Sequence, residues 1–151
     1  MKYLLLDIDD TISPWSYKGR DAIFIDRMGI KLGIPKHLAD WLAKLSDDEI
    51  KIIWCTSRPA VVRSLIEKKI MFKTYGHISF LNQHAYAWYK LFGIIKFCDE
   101  HKQDLVILAD NDIEKGIKGI TNLPNNLKLI SPSDTIRGCL SKEDLKLIDS
   151  L

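Results

Sequence analysis

Four short runs of mostly apolar residues are the feature that most limits the folds open to this chain. They occupy residues 2–8, 50–55, 105–109 and 127–130. Runs that are apolar on both strand faces are typical of parallel sheets, since such sheets are covered on both sides. Segments with helical periodicity separate the runs, and Pro35 and Pro59 open two of them. The sequence therefore predicts a three-layer α/β/α Rossmann-like fold with a mainly parallel sheet.

The length of 151 residues suits a single domain, which we expect to span residues 1–151. A composition that is 46% hydrophobic and 28% charged is typical of a globular protein. No apolar run approaches the ~20 residues of a membrane span. We therefore expect a cytoplasmic protein that needs neither a membrane nor an obligate protein partner.

Residues 13–33, here called the flap, contain several glycines and one short apolar run. This pattern predicts a loop or small hairpin rather than a domain. Residues 78–81 could form a further short strand, and a helix is predicted over about 86–101. The three cysteines, Cys55, Cys98 and Cys139, show no zinc or disulfide spacing, and Cys55 and Cys98 are expected as buried thiols.

The first apolar run ends in a dense group of acids, Asp7, Asp9 and Asp10, followed by Thr11. In open α/β sheets, ligands bind at the carboxyl ends of the strands. Carboxylates packed this closely repel one another, and a metal cation among them relieves the repulsion. The alternative is a solvated turn in which Asp10 or Thr11 caps the backbone.

Polar residues also follow the later runs, at the same expected edge of the sheet. They are Thr56, Ser57 and Arg58 after the second run, Lys90 near the start of a predicted helix, and Asp110, Asn111 and Asp112 after the third run. Taken singly, each has a simpler explanation. Thr56 or Ser57 could be a helix cap, Lys90 could be a solvated lysine, and residues 110–112 could be a turn. Their joint occurrence at successive strand ends favours one shared site.

This order of motifs resembles the haloacid dehalogenase-like superfamily of phosphohydrolases. Residues 4–11 resemble its first motif, a run of apolar residues followed by Asp-x-Asp-x-Thr. Residues 52–56 resemble the second motif, Lys90 the third and residues 106–112 the fourth. The C-terminal segment from residue 130 is similar to small uncapped members, among them the phosphatase-like domain of "Swiss army knife" RNA-repair proteins.

The resemblance implies a Mg²⁺-dependent phosphatase that forms an aspartyl-phosphate. Its catalytic residues would be Asp7 as nucleophile, Asp9 as general acid, Thr56 and Lys90. The metal would be held by Asp7, by the backbone carbonyl of Asp9 and by Asp110, with Asn111, Asp112, Ser57 and Arg58 in support. Many relatives carry an aspartate where this chain has Asn111, so either Asp112 or Glu114 could supply the outer carboxylate.

The residues suit that chemistry. A carboxylate nucleophile divides one difficult hydrolysis into two easier steps. Lys90 and the metal would keep Asp7 ionised, while burial would favour a protonated Asp9. An aspartate at position 9 favours phosphate chemistry over carbon–halogen cleavage, because relatives that cleave carbon–halogen bonds lack it.

The short flap leaves no room for a cap domain, so we expect an open site. The resemblance to open relatives implies a bulky phosphate substrate, such as a nucleotide or a nucleic-acid 3′-end. Candidate substrate contacts on the flap are Trp15, Tyr17, Lys18 and Arg20. Trp15 could instead close the core. The basic segment 58–73 is either a solvated helix face or a surface for polyanions.

Two other function classes remain open from the sequence. A signalling receiver domain also combines acids, a Thr or Ser and a lysine, but it needs a phosphate-accepting aspartate at the end of a central strand. A catalytically weak or inactive relative that binds phosphorylated partners is the second alternative, and Asn111 leaves it open.

Overall fold

The structure, a computed structural model, describes residues 1–15, 19–45 and 47–151. The elements in chain order are β1 (Lys2–Leu6), β2 (Ala22–Arg27), β3 (Ile30–Pro35), α1 (Lys36–Lys44), β4 (Lys51–Trp54), α2 (Ala60–Ile70), α3 (Leu91–Glu100), β5 (Leu105–Ala109), α4 (Ile113–Gly116), β6 (Leu127–Ile130) and α5 (Lys142–Ser150). The protein is thus an α/β protein, as the alternating pattern predicted.

A four-stranded parallel sheet in the order β4-β1-β5-β6 forms the centre of the molecule. β1 lies between two strands, and its Leu4 is opposite Ile52 on one side and Ile107 on the other. Because all four strands run in the same direction, their carboxyl ends share one edge. That edge brings together the residues that follow β1, β4 and β5.

Both faces of the sheet are buried. Leu4 and Leu6 of β1 point to one face and pack with apolar residues of α1, α2 and α5. Leu5 points to the other face and packs with residues of α3 and α4. Helices therefore cover both sides of the sheet, which explains why the strands are apolar along their whole length.

The predicted hairpin within the flap is formed by β2 and β3, which pair antiparallel. The turn between them contains Met28 and Gly29, both with positive φ (54° and 76°). Positive φ at both central residues is the requirement of a type I′ hairpin turn. Ile25 and Ile34 join the core, so the hairpin is anchored to the body of the domain.

Several local predictions need correction. Residues 78–81 do not form a strand; only His77 makes an isolated bridge, to Trp54. The third helix begins at Leu91 rather than near residue 86, and the short helix α4 was not predicted. The capping box that Ser141 and Asp144 predicted for the last helix is present.

The two cysteines predicted to be buried, Cys55 and Cys98, are buried free thiols, and so is Cys139. In the described parts of the chain, no helix has the length and apolar character needed to cross a membrane.

Candidate active site at the carboxyl edge of the sheet

A tight turn after β1 places Asp7 at the edge of the sheet. The carbonyl of Ile8 accepts hydrogen bonds from the backbone N–H groups of Ile12 (3.0 Å) and Ser13 (2.9 Å). Ile8 and Ile12 are completely buried, so the turn is held by the core beneath it. The Asp7 N–H donates to the carbonyl of Ala109 (3.1 Å), which ties this turn to the end of β5.

The segment before α3 places Lys90 on the same edge. Trp88 is buried and packs against Gly116, where a Cβ atom would collide with the indole ring. This contact anchors the chain just before the helix and leaves Lys90 pointing into the site. Any larger residue at Gly116 would therefore displace Trp88.

Lys90 is the centre of a buried charge cluster. Its Nζ donates to Asp7 Oδ1 (2.9 Å), to Asp110 Oδ2 (2.6 Å) and to the carbonyl of Cys55 (3.0 Å). The exposed fractions of Lys90, Asp7 and Asp110 are 3%, 5% and 0%. Two buried carboxylates thus share one ammonium, and the excess negative charge favours an additional cation.

The protonation of this cluster reflects its burial. Desolvation raises the pKa of Asp7 to about 6, although the charge of Lys90 acts in the opposite direction. Burial likewise raises the pKa of Asp110, again opposed by Lys90. Burial alone would lower the pKa of Lys90, but the neighbouring carboxylates outweigh it and raise that pKa. The lysine is therefore a fixed positive charge.

A second group of polar atoms lies beside Asp7. The side-chain amide of Asn111 approaches Asp7 Oδ2 (3.2 Å) and the backbone oxygen of Asp9 (3.1 Å). With its nitrogen toward these atoms, the amide donates a hydrogen bond to each. After a half-turn it presents its oxygen instead, and three oxygens then converge. The two distances from the Asn111 amide, 3.2 Å and 3.1 Å, are close to the ~3.0 Å between adjacent ligands around octahedral Mg²⁺, which follows from metal–oxygen distances of about 2.1 Å.

Asp110, which the resemblance implied as a metal ligand, is engaged elsewhere. Its Oδ2 binds Lys90, and its Oδ1 accepts a hydrogen bond from the backbone N–H of Asp112 (2.8 Å). Among the described residues, no three or more His, Cys, Asp or Glu side chains are arranged to hold a metal. The polar groups beside Asp7 are instead the side-chain amide of Asn111 and the backbone carbonyl of Asp9.

Asp9 is held by Arg58. Both carboxylate oxygens accept hydrogen bonds from the guanidinium, Oδ2 from Nε (2.9 Å) and Oδ1 from Nη2 (2.7 Å). The expectation that Asp9 is buried is wrong, because 35% of its side chain is exposed. A bidentate, charge-assisted pair of this kind fixes the orientation of the carboxylate.

The remaining residues predicted for the site differ in how far they are buried. Thr56 is buried at the end of β4, and its Oγ1 accepts a hydrogen bond from the backbone N–H of Arg58 (3.1 Å). Ser57 is exposed, as are the side chains of Asp112 and Glu114.

On the flap, Trp15 is 79% exposed, so the alternative that it closes the core is wrong. Arg20 is also exposed, whereas Tyr17 and Lys18 lie outside the residues that the structure describes.

Sequence reasoning assigned Thr11 only the alternative role of a cap in a solvated turn, although it belongs to the Asp-x-Asp-x-Thr pattern. Thr11 is completely buried, and its Oγ1 donates to Asp7 Oδ2 (3.2 Å) while accepting from the N–H of Asn111 (3.1 Å). This hydroxyl joins the turn after β1 to the loop after β5.

Comparisons with models of protein families, with curated proteins and with solved structures found no match for this chain.

Proposed function

We propose that this protein is a Mg²⁺-dependent phosphomonoester hydrolase of the haloacid dehalogenase-like superfamily, of the small uncapped type, with Asp7 as its nucleophile. The observation that carries the proposal is the position of Asp7. One of its oxygens binds the buried Lys90, and the other accepts hydrogen bonds from the Thr11 hydroxyl and the Asn111 amide. That arrangement suits a carboxylate that must attack phosphorus while a cation is bound beside it.

Asp7 Oδ2, the Asp9 backbone oxygen and the Asn111 side-chain oxygen would hold the metal. Mg²⁺ prefers such oxygen ligands and completes its coordination with water or a phosphate oxygen. When bound, Mg²⁺ would reduce the repulsion between the nucleophile and the phosphate. In this set the Asn111 amide, turned to present its oxygen, stands in place of Asp110, whose oxygens bind Lys90 Nζ and the backbone N–H of Asp112. Asp110 then orients Lys90.

In the first step, an oxygen of Asp7 forms a bond to phosphorus and the ester P–O bond breaks. Asp9 gives its proton to the departing alcohol oxygen. In the second step, Asp9 takes a proton from water, the water oxygen attacks phosphorus, and the bond to Asp7 breaks to release inorganic phosphate. Lys90 stabilises the ionised form of Asp7 and the charge on the transferring group.

Thr56 and Arg58 supply the remaining polar contacts. The Thr56 hydroxyl accepts a hydrogen bond from the backbone of Arg58, so its own proton can be donated to a phosphate oxygen. Asp9 can act as an acid only after one of its oxygens leaves the Arg58 guanidinium and takes a proton. Arg58 is then available to bind an anionic oxygen of the substrate.

The paired state of Asp9 also favours a second candidate, a phosphate-binding domain with weak or absent turnover. An aspartate that stays in a bidentate ion pair cannot protonate a leaving group. The two candidates make different predictions: both bind phosphate, but only the hydrolase releases it from an ester. For the hydrolase, nucleotides and nucleic-acid 3′-ends are the proposed substrate class.

The test is hydrolysis of an aryl phosphate in Mg²⁺ buffer by the wild type, by Asp7→Asn and by the control Asp40→Asn. Asp40 is an exposed carboxylate on α1 that pairs with Lys36, so its loss should leave turnover unchanged. Asp7→Asn should release no phosphate above the uncatalysed rate, and a chelator should abolish wild-type activity. Turnover by Asp7→Asn would exclude the assigned nucleophile. Phosphate binding by a wild type that releases none would favour the second candidate.

A further inference from the structure

We propose that the cleft between the hairpin and Arg58 binds the alcohol part of the substrate, and that this part is a nucleoside. The inference rests on the proposed function and specifies its substrate. The cleft has a volume of about 370 Å³, within the range of small-molecule sites. It is formed by β2, β3 and the chain after β1, together with Arg58.

The position of the cleft identifies the part of the substrate that it would hold. Asp9 and Arg58 both line it. In the proposed reaction, Asp9 delivers a proton to the oxygen of the departing alcohol, so the carbon skeleton attached to that oxygen must lie beside Asp9. The cleft is therefore on the leaving-group side of the reaction, opposite the attacking oxygen of Asp7.

The walls of the cleft suit a flat apolar ring. Trp15 and Phe24 line it with 79% and 51% of their surfaces exposed, while Ile25 and Leu32 are buried. Aromatic side chains that remain exposed beside a reactive carboxylate provide stacking surfaces. A plain sugar or an aliphatic alcohol would leave these aromatic surfaces largely unused.

Polar groups on the same hairpin distinguish a nucleobase from a phenyl ring. Asp26 and Lys31 are direct cross-strand partners, and both line the cleft. They offer a hydrogen-bond acceptor and a hydrogen-bond donor. The edge of a nucleobase has groups that match both, whereas a phenyl ring has none. The cleft thus combines aromatic surfaces with a polar edge in the way that a base requires.

The nucleoside could belong to a free nucleotide or to the end of a nucleic-acid chain. A second groove shares Phe24, Ile25 and Asp26 with the cleft and continues to Lys68 and Lys69 on α2. These lysines are exposed and could contact further phosphates of a chain. The experiment below separates the two sources.

The first measurement compares kcat/KM for adenosine 3′- and 5′-monophosphates with kcat/KM for the corresponding abasic sugar phosphates. Each pair breaks the same P–O bond, so any preference reports recognition of the base. We expect a preference of about 5- to 100-fold for at least one nucleotide, from the usual strength of base stacking. Trp15→Ala and Phe24→Ala should reduce this ratio toward one. Met28→Ala is the control, because Met28 is exposed at the tip of the same hairpin and does not line the cleft.

A second measurement does not depend on turnover. Adenosine monophosphate should quench the tryptophan fluorescence of the Asp7→Asn variant, and Trp15→Phe in that background should remove the quenching. If the wild type hydrolyses nucleotides and abasic phosphates equally well, the nucleoside assignment is wrong although the hydrolase proposal stands. If nothing is hydrolysed but Trp15 is quenched, the cleft assignment stands and the proposed reaction is wrong.

A final comparison decides whether the nucleoside belongs to a free nucleotide or to a nucleic-acid end. It uses a mononucleotide and a single-stranded oligonucleotide that carries the same terminal phosphate. A lower KM for the oligonucleotide that is lost in Lys68→Ala/Lys69→Ala would identify a nucleic-acid end. Equal KM values would identify the free nucleotide.

Discussion

Replacing Lys90 with methionine tests the buried charge cluster most directly. Methionine keeps an unbranched side chain of similar size but removes the ammonium. In its absence, Asp7 and Asp110 face each other without the cation that now lies 2.9 Å and 2.6 Å from their oxygens. The carbonyl of Cys55 also loses its hydrogen-bond donor.

The expected loss of stability follows from the burial of these charged side chains. Removing one partner of a buried ion pair costs about 3–5 kcal/mol, because the remaining charge is left uncompensated. At about 2–4 °C per kcal/mol for a domain of this size, the melting temperature should fall by roughly 6–20 °C. Since both carboxyls would have strongly raised pKa values in the variant, the folded state would take up protons as the pH falls. The loss of stability should therefore be largest near pH 7.5 and much smaller near pH 5.

The assay is urea unfolding followed by circular dichroism at both pH values, without metal. Lys96→Met is the matched control, since Lys96 lies on α3 but is 61% exposed and 3.7 Å from Glu100. Such a surface pair contributes about 0–1 kcal/mol. A further variant, Lys90→Met/Asp110→Asn, should recover part of the loss because it removes one of the two charges. Equal small losses for Lys90→Met and Lys96→Met, or a Lys90→Met loss that is independent of pH, would refute the assigned cluster.

Three further predictions concern the metal and the acid. Asn111→Ala should weaken Mg²⁺ binding at least about tenfold in isothermal titration, and unchanged affinity would show that the amide is not a ligand. Asp9→Asn should lower kcat by about 10²–10⁴-fold with an unchanged Mg²⁺ dissociation constant, because the backbone carbonyl remains; a large loss of affinity would contradict that role. Since burial raises the pKa of Asp7 to about 6, protons should compete with the metal. Mg²⁺ affinity should fall as the pH drops below about 6, and a titration that is flat from pH 5 to 7.5 would argue against Asp7 as a ligand.

Much of the fold could be predicted because it depends on local patterns. β5 and β6 have the bounds that their apolar runs predicted. The capping box of α5 depends on residues three positions apart, so its signal is complete within one helical turn. The segment before α3 was harder to predict. Trp88 lies there because it packs against Gly116, a contact that periodicity does not encode.

The sequence by itself determined that Asp7, Thr56 and Asp110 reach the carboxyl edge of the sheet, since each closely follows a buried strand, whereas Lys90 follows none. Only the tertiary structure decided how those residues pair. Lys90 is 83 residues from Asp7 and 20 from Asp110, and Arg58 is 49 residues from Asp9. The order of the strands and the register between them bring Asp7, Asp110 and Asn111 together. The packing of Trp88 against Gly116 then holds the chain before α3 so that Lys90 reaches both carboxylates.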